Sequence, residues 1–150
     1  MRTLRRPGSL RRPGLQTRQF VIMAAAVTAF ACGPAVSDHD NRIFGTPASL
    51  KLSAADLSSA YGADAGAADG RYRGRVLEVS GVIGKLPGGV RVLLKGSEKG
   101  PVVEASLHED VAAEMIKTLG DGKRVTLKCF CEGLNQQVRL KSCVAPDPAR

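Results

Sequence analysis

The sequence predicts an all-β domain with accessory helices. Its centre is a five-stranded antiparallel barrel, with one helix between the third and fourth strands and one before the first. Three observations predict it. From Tyr72 onward the apolar residues recur with period two, Gly-rich turns separate the runs, and one stretch of helical period falls between the third and fourth runs. A length of 150 residues fits one such domain with short appendages.

The chain opens on a segment that does not belong to the barrel. Residues 1–31 hold six Arg (Arg2, Arg5, Arg6, Arg11, Arg12 and Arg18) and no acid, with RRPG at 5–8 and again at 11–14. Phe20 to Ala31 is a twelve-residue apolar stretch ending in Ala29-Phe30-Ala31. A positive region, a short apolar core and an A-x-A end describe a secretory signal peptide over residues 1–31. Twelve helical residues span only about 18 Å, against about 30 Å for a bilayer core. Cys32 follows at once, which resembles a bacterial lipoprotein signal, in which that Cys is lipidated and becomes the mature N-terminus. Ala29 and Phe30 stand where Leu and a small residue are more usual in such signals. Ordinary cleavage after Ala31 is the alternative, with Cys32 then a thiol or disulfide partner; an uncleaved anchor is the third. Arg11-Arg12 is followed by Pro13 and reads as plain charge rather than as a twin-arginine signal. The expectation is export to an oxidising compartment, with the protein lipid-anchored to a membrane facing the periplasm or, alternatively, soluble in the periplasm.

The charge follows the same division. The chain has 22 Lys and Arg against 14 Asp and Glu, a net +8, but without the six Arg of residues 1–31 the balance is 16 against 14. The basic character therefore says little about the folded domain. There is no Trp, and Phe44, Tyr61, Tyr72 and Phe130 are the only aromatics after residue 31. That excludes a broad aromatic stacking platform. No apolar run reaches 18 residues, which excludes a conventional multi-span membrane protein.

Residues 32–49 carry Gly33, Pro34, Ser37, Asp38, Asp40, Asn41, Gly45 and Pro47, and read as a flexible tether. Asp38-His39-Asp40 has metal-ligand residue types, but in a linker without further His it reads as a solvated stretch. The domain is expected over 50–145. A helix is predicted for 53–68, capped by Ser53, with Ala54, Leu57, Ala60 and Tyr61 at helical spacing and Gly62 and Gly66 weakening its second half. Leu77, Val79, Gly81 and Ile83 alternate with Val76, Glu78, Ser80 and Val82 to give the first strand, and Pro87-Gly88-Gly89 is a turn. Val90 to Lys95 and Val102 to Leu107 give the second and third strands. Ser106 to Glu109 has capping-box spacing, and Val111, Ala112, Met115, Ile116 and Leu119 continue a helix that Gly120 stops. Arg124 to Cys131 and Val138 to Val144 are the fourth and fifth strands, and 146–150 is a disordered tail. This order is the OB-fold layout.

Over Leu50 to Val144 the chain resembles the bacterial tRNA-anti-like OB-fold family of small exported or lipid-anchored domains. The resemblance is carried by Ala67-Ala68-Asp69, Tyr72-Arg73-Gly74, Val79-Ser80-Gly81-Val82, Gly122-Lys123-Arg124-Val125, Cys131-Glu132-Gly133 and Val138-Arg139-Leu140-Lys141-Ser142-Cys143, in that order. Cys129 departs from it, since a Gly commonly stands two places before the first Cys. So does the third strand, Glu104-Ala105-Ser106-Leu107, where a Cys is common. The resemblance implies the fold and export, and it favours a Cys131–Cys143 disulfide.

Hairpin arithmetic gives a rival pairing: a turn centred on Gln136 puts Cys129 opposite Cys143, each seven residues away. Strand alternation does not decide. Cys129 and Cys131 share a face with Val125 and Leu127, while Cys143 falls on the Arg139 and Lys141 side unless a bulge intervenes. Either staple closes a loop worth about 3 kcal/mol. A zinc site using Cys-x-Cys, a distant Cys and His108 has the wrong spacing between its paired cysteines, and a redox role lacks Cys-x-x-Cys. No metal or other cofactor is expected.

No nucleophile elbow, P-loop or dinucleotide fingerprint is present. Glu109, Asp110 and Glu114 sit at a helix start, where the macrodipole favours acids. The sequence therefore points away from an enzyme. It favours a monomeric, non-catalytic binding domain of the cell envelope, held by a lipid on Cys32 and taking a protein, peptide or small ligand. Nucleic acid is the alternative partner. Its expected face is Arg71, Arg73 and Arg75 on the first strand with Arg124, Lys128, Arg139 and Lys141 on the fourth and fifth, and Tyr72 and Phe130 stacking bases.

Overall fold

The computed structural model describes residues 39–146; the expected signal segment, Cys32 and residues 147–150 lie outside them. The elements run α1 (Arg42–Gly45), β1 (Leu50–Ser53), α2 (Ala54–Ala63), α3 (Ala65–Tyr72), β2 (Val76–Gly88), β3 (Arg91–Leu94), β4 (Val103–Leu107), α4 (Glu109–Thr118), β5 (Arg124–Asn135) and β6 (Gln137–Val144). No helix among the described residues is long and apolar enough to cross a membrane.

Strands β2 to β6 close into a ring in the order β2-β3-β4-β6-β5, with β5 returning to β2. This is the OB-fold. The expected all-antiparallel pairing is corrected at one seam: β4 and β6 run parallel, Glu104 opposite Arg139. The reason is parity, because directions cannot alternate around a ring with an odd number of strands. Strand β2 serves both halves of the barrel. Val76 to Val82 pair with β5, and Ile83 to Gly88 pair with β3. Beside the first half of β2 lies β1, in parallel register from Leu50 opposite Leu77 to Ser53 opposite Ser80. The four residues of β1 are too few to show an alternation in the sequence.

The core follows the period-two pattern. Leu77, Val79, Ile83, Val92, Leu94, Leu107, Leu127 and Leu140 are buried inside the ring. Gly81 interrupts that inward row because α2 starts on top of it; a Cβ there would lie 2.9 Å from the Ala54 Cβ. Ser53 caps α2 as expected, its Oγ accepting the Asp56 N–H at 3.0 Å. The single predicted helix is two, broken at Asp64. That residue takes an extended backbone, and its carboxylate accepts the Ala67 N–H at 2.9 Å to restart the chain as α3. The cap of α4 is also corrected. Ser106 is inside β4, and the His108 Nδ1 accepts the Asp110 N–H at 3.3 Å.

Residues 39–49, expected to be tether, are docked. Ile43 is fully buried against Val76, Phe130 and Val144, a second small core on the outside of the barrel. The Asp40 N–H donates to the Ser142 Oγ at 2.9 Å, and the Arg42 guanidinium lies 5.5 Å from the centre of the Phe130 ring. Residues 39–46 thus form a strap across the outward side of β5 and β6. One buried isoleucine in a Gly-, Pro- and Asp-rich segment gives no periodicity to read.

The disulfide joins Cys129 to Cys143, and Cys131 is a free, buried thiol. The pairing that the family resemblance favoured is therefore not the one formed. Cys131 stands opposite Leu140, and two residues back on β5 meet three residues forward on β6. Ser142, at φ 51°, is the extra residue of a bulge. It flips the facing of the strand, so Cys143 turns inward with Leu140.

Candidate functional site

An open cleft crosses the β3–β4–β6 face. One wall is the β2–β3 turn, Pro87 to Val90, where Gly88 and Gly89 take φ of 98° and 66° that side chains rarely adopt. The floor is Arg91 of β3, Glu104 and Ser106 of β4 and Arg139 of β6, and this part encloses about 620 Å³. A second hollow of about 370 Å³ shares Glu104 and Arg139 and is closed by the β5–β6 turn at Asn135, Gln136 and Gln137. In an OB-fold the face of the second and third barrel strands, with the loops after the first and fourth, is the general binding surface. Both hollows lie there.

The strand register builds the electrostatics. Glu104 faces Arg139 across the parallel seam, and Arg91, opposite Ser106 on β3, is its diagonal neighbour. Glu104 lies 3.9 Å from Arg91 Nη1 and 3.9 Å from Arg139 Nε. Arg139 Nε is also 3.4 Å from Glu132, and Glu132 is 3.1 Å from Lys141 Nζ. The result is an alternating ladder, plus-minus-plus-minus-plus, with one excess positive charge across five groups. Such partly exposed pairs contribute little to stability; they hold the guanidinium groups in place. The cleft can recognise a polar or charged ligand through two guanidiniums, one carboxylate and the amides of Asn135, Gln136 and Gln137. It has no aromatic ring and no nucleophile next to a base.

The structure disperses the basic face read from the sequence. Arg71, Arg73 and Arg75 precede β2 rather than alternate along it. Arg71 lies 5.3 Å over the Tyr72 ring, and Arg73 is 3.6 Å from Asp69. Arg124 is exposed at the start of β5. Tyr72 and Phe130, expected to stack on bases, are buried in the main and second cores. Lys128, expected on an outward solvated face, is 1 % exposed. Arg139 and Lys141 do face outward, but inside the ladder. Of the residues expected on a ligand face, Arg139 alone lines the cleft. Arg91, Glu104, Ser106 and Gln137 were missed, and their one signal was being the polar members of alternating strands.

The remaining chemistry is internal. The Tyr61 hydroxyl donates to Asp69 Oδ1 at 2.9 Å and lies 3.5 Å from Cys131 Sγ. Burial pushes the Cys131 thiol above its ordinary range, against the opposing pull of the Tyr61 hydrogen bond. Burial, with Cys131 and Asp69 beside it, likewise raises Tyr61. Cys131 is thus held as a protonated thiol, unlike an activated nucleophile. Among the described residues no three His, Cys, Asp or Glu side chains converge as metal ligands. His39 and His108 lie at the strap, their ring centres 6.3 Å apart.

A model of the tRNA_anti-like family matches residues 14–144. No curated protein matches the chain.

Proposed function

The chain belongs to the tRNA_anti-like family, and on that premise we propose that it is an exported, lipid-anchored, non-catalytic binding domain of the bacterial cell envelope. Its ligand, a protein, peptide or small polar molecule, occupies the cleft of β3, β4 and β6. The observation that carries this reading is the Arg91–Glu104–Arg139 ladder set between the two loops of the OB binding face. A near-balanced row of charges suits a ligand bearing both signs or neutral polar groups. A polyanion is better served by unpaired cations and exposed rings, and Tyr72 and Phe130 are buried.

The anchor rests on the positive segment, the apolar stretch and Cys32. Intact mass of the protein from native membranes tests it: a diacylated species beginning at Cys32 is expected, and an uncleaved N-terminus overturns export.

A photo-crosslinker placed at position 91, in cells, tests the cleft against the same group at Lys117, on the exposed side of α4. A defined adduct from position 91 and none from 117 is expected; equal labelling overturns the cleft as the site. A parallel titration with labelled single-stranded nucleic acid at low salt is expected to show no saturation. Salt-sensitive binding that Arg91→Ala weakens replaces this reading with nucleic-acid recognition.

A further inference from the structure

We propose that the strap end of the barrel rests on the lipid surface, with Phe44 and Arg42 in the headgroup zone. The inference rests on the reading that Cys32 carries a lipid. Six residues separate Cys32 from His39, and seven Cα steps reach at most about 25 Å. His39 is fixed at one end of the barrel. Its Nδ1 lies 3.3 Å from Glu109, and its ring centre 6.3 Å from that of His108, the residue that follows β4. Phe44 is at the same end, its ring centre 5.0 Å from His108. The five residues of β4 extend roughly 17 Å and put Val102 at the opposite end. A lipid on Cys32 therefore attaches the domain at its His108 end, which meets the membrane with the tether slack, whereas the Val102 end reaches it only with the tether nearly drawn out.

The held end presents what a lipid–water boundary accepts. Phe44 is 48 % exposed, an apolar ring the fold leaves in water. Beside it the Arg42 side chain is 63 % exposed, a cation on an apolar stem. The nearby acids are partly matched: Asp40 accepts from Arg42 Nε at 2.9 Å, and Glu109 faces His39. Asp110 and Glu109 stay in water, so the contact is shallow, one ring deep.

The protein has no Trp, so one introduced indole is a unique reporter. The full-length lipidated protein is reconstituted in phosphatidylethanolamine–phosphatidylglycerol vesicles whose acyl chains are brominated near the headgroup. Phe44→Trp is compared with Val102→Trp, a second exposed apolar site. Loss of fluorescence at 44 and none at 102 is expected. Equal quenching, stronger quenching at 102, or none at either overturns the proposal. Intact mass is taken on the same samples. If Cys32 is unmodified, the anchor reading itself has failed; if it is lipidated and position 44 is unquenched, only the orientation has. Hydrogen exchange on the unsubstituted protein repeats the comparison without a variant. Slower exchange at residues 41–46 on vesicles than in detergent is expected, and unchanged exchange overturns the contact.

Discussion

The outside of the barrel is used in two ways. Under the strap, the outward side chains of β2, β5 and β6 form a second core: Val76, Phe130 and Val144 pack on Ile43, and Lys128 is buried nearby. Across the β3–β4–β6 face, the outward side chains stay at the surface as a ladder of charges. Both surfaces start from the same strand alternation. What differs is whether a segment from elsewhere lies on top. Period two says which way a side chain points, and a covering strap decides what it meets there.

The strap depends most on its one buried side chain, Ile43. Ile43→Ala is expected to cost about 2–5 kcal/mol, the range for emptying a packed aliphatic site. That is a large part of the stability of a domain this size. Arg91→Ala, at the ladder, is expected to cost less than about 1 kcal/mol. Urea denaturation of both variants gives the answer, and equal costs would mean the strap is only laid on the surface.

Reducing the Cys129–Cys143 disulfide, with a sequence separation of 14, is expected to cost about 3 kcal/mol. Non-reducing peptide mapping checks the pairing. Cys131 should alkylate only after unfolding, since it is fully buried; a Cys131–Cys143 peptide would overturn the pairing.

The interior of the barrel, beneath both regions, responds to alkali. Burial raises Cys131 and Tyr61 in the folded state. Their stabilisation is therefore complete below the ordinary thiol value of 9.0 and is lost as pH rises beyond it. The thermal midpoint should fall in alkali, and Cys131→Ala should flatten that fall.

The smallest effect lies at the strap and has the opposite sense. Arg42 holds Asp40 below its ordinary 3.8 through a side-chain hydrogen bond, so that contribution is present above this value and fades as pH falls through the folded one. Because Arg42 is largely exposed, solvent screening keeps the change small. The protection of residues 41–46 against exchange, taken relative to the intrinsic rate at each pH, should fall between pH 6 and pH 3 before that of the barrel does.

Much of the barrel was legible. Alternation marked all five strands of the ring, Pro87-Gly88-Gly89 marked a turn, and Ser53 marked a helix start, because these signals are local. The unreadable parts depend on distant segments. Ile43 carries a small core alone, so no pattern announces it. Lys128 occupies an outward position that the fold covers. Cys143 faces inward through one left-handed residue, Ser142, that propensity does not reveal. The cleft was legible only as a turn at Pro87-Gly88-Gly89 and as a polar position at Arg139. Its other walls join three strands and two turns far apart in sequence, and each of those residues is ordinary on its own.

The parallel seam has a consequence for how the chain must be made. Strand β6 is the last element of the described chain, and it fills the gap between β4 and β5. Until it arrives, both of those strands present bare edges, the feature that invites pairing with other chains. A chain stalled on a ribosome before residue 137 is therefore an open sheet rather than a smaller barrel. Protection from aggregation comes only when the last strand is released.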